Sequence, residues 1–237
     1  MILRSLNAVT ILAMGVIACH GCSDSSTGPA YDPDIPTEWA AAVTNEWFPL
    51  TPGTTYEFEG DTDAGLETIV VEVLAETKVI QGVTATVVRD RVYLDDELIE
   101  DTFDWYAQDA AGNVWYLGEA TQEYENGIPG STEGSWEWGV EGALPGVVMW
   151  ADPSAYLGES YRQEYAKDVA EDWGKVVALD QNVDVPYGSF TGCVETEDWN
   201  GLESGPHEHK FYCSGLGVTL EVEGGGARVE LIDVTAP

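Results

Sequence analysis

Two histidines and a glutamate near the C-terminus have the residue types and the spacing of a metal site. Cys193 and Cys213 lie in strand-like sequence, and a disulfide between them would fix the register of two antiparallel strands, because paired positions keep a constant sum of residue numbers. That register places Glu197 opposite His209, and alternation puts His207 on the same face. Two imidazoles and a carboxylate can bind Zn²⁺ or Cu²⁺. Glu197, His207 and His209 are therefore a candidate metal site, against the plainer interpretation of two solvated histidines near the end of a hairpin.

A second metal hypothesis concerns calcium. Asp61 and Asp63 alternate as acidic ligands do in calcium loops, but the next ligand position is Gly65 and no glutamate closes a twelve-residue loop. A polar hairpin turn is the better interpretation of this segment.

Tryptophan supplies the third kind of candidate site. Exposed tryptophans could stack on sugar rings or line an apolar cleft, whereas buried ones would close an open end of a sheet. The candidates for ligand binding are Trp105, Trp115, Trp136, Trp138 and Trp150. Just before Trp115, the segment from Asp109 to Asn113 predicts one tight turn, in which Asp109 bonds the backbone and Gly112 or Asn113 takes a positive φ.

Motifs of enzymes are scarce in this sequence. It has no Gly-x-Ser-x-Gly elbow, phosphate-binding loop or His-Glu-x-x-His motif. His207 and His209 leave little for a serine or cysteine triad. We assign no catalytic residue and expect a non-enzymatic protein, with a carboxylate-based hydrolase as the enzymatic alternative.

The charge of the chain restricts its partners. The 237 residues include 43 acidic and 9 basic side chains, a formal net charge of −34. Because nucleic acid is bound by exchanging counterions for lysine and arginine, a nucleic-acid partner is not expected. The excess carboxylate is read as a solvated shell, with calcium ligation or a cationic partner as alternatives.

The apolar content predicts a folded core, because 44% of the residues are hydrophobic and 11% are aromatic. Strand signals fill the chain after Pro49. Ile99, Phe103 and Trp105 alternate with Glu100, Thr102 and Asp104, and residues 216–222 with residues 228–231 predict a C-terminal hairpin with one wet face.

These signals predict an all-β fold for residues 37–237. We expect about a dozen antiparallel strands in a meander, forming a strongly curved sheet, a half-barrel or a barrel. One short helix is predicted over residues 37–46, where Thr37 could cap an alanine-rich run.

The N-terminus carries an export signal. Arg4 precedes a short apolar run that ends in Val16, Ile17, Ala18 and Cys19, too short to span a bilayer core, which takes about 20 residues. This ending resembles the lipobox of bacterial lipoprotein precursors. The resemblance implies cleavage after residue 18 and a diacylglyceryl group on Cys19 that anchors the protein to the membrane. Since His20 and not aspartate follows the cysteine, it also implies the outer membrane, in an organism that has one.

Residues 19–36 are polar and interrupted by proline, which predicts a disordered tether of about 25 Å. Cys22 lies in this tether, as a free thiol or as an intermolecular disulfide partner. Export to an oxidising compartment favours the Cys193–Cys213 disulfide.

The entrance to the domain carries a second resemblance. Phe48-Pro49-Leu50, then Gly53 and Tyr56, is similar to the opening of uncharacterised bacterial lipoproteins, and the similarity continues through Trp105 to Asp109, Gly112 to Tyr116 and His209 to Tyr212. It implies an antiparallel β lipoprotein and brings no activity with it.

Together these features predict a monomeric, exported, lipid-anchored protein of the cell envelope. Its leading function is to bind a hydrophobic or carbohydrate ligand in an apolar or aromatic cleft of the curved sheet, as a carrier would. The alternative is a structural or protein-interaction lipoprotein that contacts another envelope protein and has no small-molecule site.

Overall fold

The computed structural model describes residues 31–202 and 204–237. The predicted signal peptide, the lipobox, Cys19 and Cys22 lie outside the described residues. In the part of the chain that is described, no helix has the length and apolar character needed to cross a membrane.

The described chain is built from antiparallel strands, as predicted. The strands β1 to β15, in chain order, are Thr55–Thr62, Gly65–Ile80, Val83–Leu94, Glu97–Gln108, Val114–Glu125, Ile128–Pro129, Trp136–Glu137, Leu144–Met149, Ser160–Arg162, Glu164–Tyr165, Asp172–Val185, Gly188–Asn200, Glu208–Cys213, Gly217–Val222 and Arg228–Thr235. A short 3-10 helix, Pro153–Tyr156, follows β8.

The strands form one sheet that nearly closes into a barrel. Its order is β10-β8-β5-β4-β3-β2-β1-β15-β14-β13-β12-β11-β9, so almost every strand pairs with its neighbour in sequence, and the predicted meander is confirmed. At the two edges, β9 pairs with β11 and β10 pairs with β8. Because β9 and β10 are separated by Gln163 alone, residues 160–165, here the closing segment, connect both edges of the sheet.

The barrel interior is apolar at one end. Phe48 packs edge-on against Tyr106, with ring centroids 5.2 Å apart, and its ring lies 6.3 Å from that of Tyr212. Val43 and Leu50 are buried beside them, and the Leu50 amide donates to the Val43 carbonyl oxygen. Residues 43–50 therefore close this apolar end.

The predicted helix over residues 37–46 is wrong. The segment is extended and runs along the end of β4, where the Ala40 amide donates to the Gln108 carbonyl oxygen at 2.8 Å. The Trp39 ring lies 6.2 Å from that of Trp115 and 6.4 Å from that of Trp138. Burying Trp39 on the outer wall outweighs the weak helix propensity of the alanine run.

The Cys193–Cys213 disulfide is present. Its predicted register is also confirmed, because Glu195 pairs with Phe211 and Glu197 pairs with His209 across β12 and β13. The disulfide lies with Val183 and Leu220 in a small buried cluster on the outer side of these strands.

Candidate ligand-binding cleft

A cleft of about 480 Å³ lies where the barrel closes. Its walls come from residues 31–36, the start of β5, the end of β8 and the closing segment. The aromatic side chains that line it are Tyr31, Trp115, Trp150, Tyr161 and Trp173. This volume is in the range of small-molecule sites, about 300–1,000 Å³.

Trp115 is held in the cleft wall by the turn before it. The Asp109 carboxylate accepts hydrogen bonds from the Asn113 amide, the Asn113 side chain and the Trp115 indole N–H, each at 2.9 Å. Gly112 has a φ of 97°. The predicted turn is confirmed, and Asp109 also fixes the orientation of the indole.

Trp150 and Trp173 are fixed by stacking. The Trp150 ring lies parallel to the Tyr156 ring at 3.7 Å and edge-on to the Tyr161 ring at 5.3 Å. On the other side of the cleft, the Arg162 guanidinium lies 4.2 Å from the Trp173 ring. The rings are thus positioned by the protein itself.

Several polar groups in the cleft walls already have protein partners, whereas the Trp150 indole N–H and the Tyr161 hydroxyl are buried without a hydrogen-bond partner among the described residues. Arg162 donates to the Glu171 carbonyl oxygen at 2.7 Å and to the Glu171 carboxylate at 2.9 Å. The Tyr31 hydroxyl donates to the Pro145 carbonyl oxygen, and Asn113 Oδ1 accepts from the Ala151 amide. What the cleft offers a ligand is therefore mainly aromatic and apolar surface.

The structure separates the five predicted tryptophans. Trp115 and Trp150 line the cleft, whereas Trp105 lies on the outer wall with the Lys78 ammonium 3.1 Å from its ring centroid. Trp136 is buried inside the barrel, where its indole N–H donates to Glu164 at 2.6 Å, and Trp138 packs against Trp39.

The predicted metal residues share the outer face of β12 and β13 but do not converge on one point. His207 Nδ1 pairs with Glu197 at 2.8 Å, and His209 Nδ1 pairs with Glu195 at the same distance. The His207 ring also stacks on Trp199, with centroids 4.9 Å apart. Within residues 31–202 and 204–237, no group of three or more histidine, cysteine, aspartate or glutamate side chains is arranged to hold a metal ion.

The acidic segment around Asp61 and Asp63 forms a hairpin turn. β1 ends at Thr62 and β2 begins at Gly65, and the Thr62 hydroxyl donates to the Gly65 carbonyl oxygen at 3.0 Å. The Ala64 amide donates back to the same hydroxyl oxygen. The turn interpretation is confirmed.

Buried acids on the inner face of the barrel were missed by the sequence analysis. Each of seven carboxylates is at most 5% exposed: Glu67, Asp90, Asp104, Glu119, Glu164, Asp198 and Glu221. Glu67, Asp90, Asp198 and Glu221 lie towards the end that carries the β1–β2, β3–β4 and β14–β15 turns, here the acidic end, opposite the apolar end. Asp104, Glu119 and Glu164 lie nearer the middle of the barrel, beside Tyr116 and Trp136. The predicted wet face of the C-terminal hairpin is wrong for β14, because Thr219 and Glu221 are 0% exposed and Glu221 is on the inner face. On β15, Arg228 is exposed as predicted.

Burial changes the protonation of these groups. Burial and then the nearby Glu223, Glu208 and Glu100 raise the pKa of Glu67 to about 7. Burial and then Asp104 and Glu100 hold the pKa of Asp90 well above its ordinary value. The acidic end therefore retains protons at pH values where a solvated carboxylate has lost them.

The hydrogen bonds of Tyr116 require one additional proton on a neighbouring carboxyl group. The Tyr116 hydroxyl lies 2.5 Å from Asp104 Oδ1 and 2.7 Å from Glu119 Oε2. A phenol has one proton and can donate only one of these two bonds. The other bond requires a proton on Asp104 or Glu119, so this trio holds two protons among three groups.

Comparison of the chain with protein-family models, with characterised proteins and with solved structures gives no match. The fold defines the class, a nearly closed antiparallel β barrel. The cleft and the acidic interior are the features of this barrel that bear on function.

Proposed function

We propose that this protein is an exported, lipid-anchored binding module that holds a hydrophobic small molecule in the cleft. The observation that carries the proposal is the cleft itself, whose aromatic rings are held in place and whose Asp109, Asn113 and Arg162 side chains are bonded within the protein.

The chemistry of the walls supports a hydrophobic ligand over a sugar. Recognition of a sugar needs polar groups that are free to bond its hydroxyls. Arg162, Asp109 and Asn113 are engaged elsewhere, and a ligand that displaced their bonds would leave buried donors unpaired. Burial of apolar ligand surface against Trp150, Trp173 and Tyr161 needs no such exchange.

The lipid anchor is supported by the sequence pattern that ends at Cys19. Residues 31–36, the last part of the proposed tether, form one wall of the cleft, so the tether meets the domain at the binding site. An anchor on Cys19 would hold the cleft within about 25 Å of the membrane surface, close to a source of hydrophobic molecules.

A neutral fluorescent probe, N-phenyl-1-naphthylamine, tests the cleft. Wild type is expected to bind it saturably with enhanced emission. Ser160 is exposed and lines the cleft, so Ser160→Trp should fill the cleft and weaken binding at least about tenfold, the effect of about 1.4 kcal/mol. Ser189→Trp adds the same side chain at an exposed position of β12 away from the cleft and is expected to bind the probe like wild type.

Equal binding by both variants would place the probe elsewhere and contradict the proposed site. Native mass spectrometry of protein purified from its own envelope adds two readouts. It is expected to show the mass of a chain beginning at a lipidated Cys19 and a retained hydrophobic ligand. A chain with neither probe binding nor a ligand would instead support a structural or protein-interaction role, and a retained saccharide would contradict the ligand class.

A further inference from the structure

The acidic end of the interior has many more anions than cations. Four buried carboxylates lie there and three more lie deeper in the barrel, and Lys210 is the one lysine or arginine that is buried among the described residues. Glu100 and Glu208 add to the negative field, since both raise the pKa of Glu67. Because Glu100 is on β4 and Glu208 is on β13, the field acts across the barrel and not along one strand.

Lys210 shows how this interior accommodates an ammonium group. Its Nζ lies 3.6 Å from Asp198, 3.7 Å from Glu208 and 4.0 Å from Glu221, carboxylates from three adjacent strands. Burial alone would lower the pKa of Lys210, but the three carboxylates outweigh it and raise that pKa above its ordinary value. The ammonium is charged and held by anions at 3.6–4.0 Å.

Several carboxylate oxygens in the same interior lack a hydrogen-bond donor. Glu67 Oε1, Asp90 Oδ1 and both oxygens of Glu221 are buried and have no hydrogen-bond partner among the described residues. Glu67 is 2% exposed, Asp90 is 5% exposed and Glu221 is 0% exposed. A buried carboxylate without a donor is costly, and an ammonium group supplies three donors and the opposite charge.

The spacing of these groups favours an extended cation over a metal ion. Glu67 on β2 pairs with Gly60 of β1, and Glu221 on β14 pairs with Val229 of β15. The strands β1 and β15 therefore lie between the two glutamates. A divalent metal needs several oxygens at 2.0–2.6 Å from one point, and within the described chain no group of three ligands is arranged in that way. Several ammonium groups along a flexible chain can reach carboxylates that lie apart.

We propose that the acidic end of the barrel binds a linear polyamine, with Glu67, Asp90 and Glu221 as ligands that release their protons to solvent when the ammonium groups bind. The site is distinct from the cleft and does not depend on the proposed function. Its ligand would enter between the hairpin turns of the acidic end and place its amines as the Lys210 ammonium is placed.

Calorimetric titration of the full chain with spermidine at fixed ionic strength tests the proposal. Saturable binding is expected for wild type. Glu67→Gln combined with Asp90→Asn removes two inner carboxyl groups with little change of shape and should weaken binding at least about tenfold, because amides cannot ionise to become charge partners of a buried ammonium. Both replacements are uncharged at positions where burial penalises charge, so we expect the variant to fold, as its circular dichroism and thermal melting will show.

The matched control is Glu57→Gln combined with Glu59→Gln. These residues are exposed on the outer face of β1, and their replacement removes the same two charges. The control is expected to bind spermidine within about twofold of wild type, since surface charges are screened. Equal weakening in both variants, or no saturable heat with wild type, would overturn the proposal.

Discussion

At the scale of single residues, Asp109 stabilises both a turn and a wall of the cleft. One carboxylate satisfies three donors, two of them on Asn113 and one on the Trp115 indole, while being 5% exposed. It closes the β4–β5 turn and fixes a wall of the cleft at the same time.

Replacing Asp109 is therefore expected to be costly. Asp109→Ala leaves three donors without their acceptor, and the free energy of unfolding should fall by about 3 kcal/mol, measured by urea denaturation. Asp152→Ala is the control, because Asp152 bonds only Ser154 in an exposed position, and its loss should cost about 1 kcal/mol. A loss for Asp109→Ala no greater than that of the control would contradict the role assigned here.

The sequence identified this turn because its signals are local. Aspartate followed three residues later by glycine predicts a backbone turn whatever surrounds it. The bonds of the two histidines were less predictable. Their shared face followed from alternation, but whether Glu197 or Glu195 meets His209 depends on side-chain rotamers that spacing does not specify.

At the scale of elements, the register of β12 and β13 is the prediction that the structure reproduces in most detail. Cys193 and Cys213 are 20 residues apart in sequence, and the disulfide between them was enough to predict all the residue pairs of β12 and β13. Its contribution to stability can be estimated from the same loop.

Removing the disulfide is expected to destabilise the barrel by about 3 kcal/mol on the chain-entropy account. The measurement is urea denaturation of Cys193→Ala combined with Cys213→Ala, compared with wild type before and after reduction. Reduced wild type and the variant should unfold at similar urea concentrations. A loss below about 1 kcal/mol would show that the strands hold their register without the covalent link.

Alternation could not tell the inside of the barrel from the outside. Phe103 and Trp105 do lie opposite Thr102 and Asp104, yet Thr102 and Asp104 are the buried inner residues. Ile99 lies at a β-bulge and packs with the inner cluster. Both faces of β4 are covered, the outer one by Trp39 and Lys78, so hydrophobicity does not mark the core face. The same ambiguity produced the wrong wet face at Glu221. A signal did exist in β3, where Asp90 is in phase with the buried Val88 and Val92.

At the scale of the whole molecule, the excess of acid is partly internal. The net charge of −34 predicted a solvated shell, but eight carboxylates of the described residues are buried, seven of them inside the barrel. Composition does not distinguish buried acids from exposed ones, because closure of the barrel determines which face of each strand is buried.

The buried acids predict a fall in stability as pH rises. The pKa of Glu67 in the folded protein is about 7, above its ordinary value of 4.5, so the folded state binds more protons than the unfolded state between these values. Its contribution is complete below about pH 4.5 and is lost as pH rises through 7. Asp90 and Glu221, whose pKa values are held well above the ordinary range, extend the loss to higher pH.

We expect the melting temperature to fall from pH 5 to pH 8 by on the order of 5 °C, measured by calorimetry at constant ionic strength. Glu67→Gln should reduce this slope, because the glutamine has no proton to lose, whereas the exposed Glu57→Gln should leave it unchanged. A melting temperature that rises over the same interval would contradict the assignment of raised pKa values to the interior.

The pairing of β1 with β15 has a consequence for the order of events during synthesis. Thr55 pairs with Thr235, so β1 has both of its neighbours only when β15, far from it in sequence, has been made. Closure of the barrel therefore comes late, and the acids that face one another in the finished protein are far apart until then. An incomplete chain has an open sheet edge and no low-dielectric interior, so its carboxylates remain ionised and repel. We expect this repulsion to oppose compaction of the chain until β15 pairs with β1.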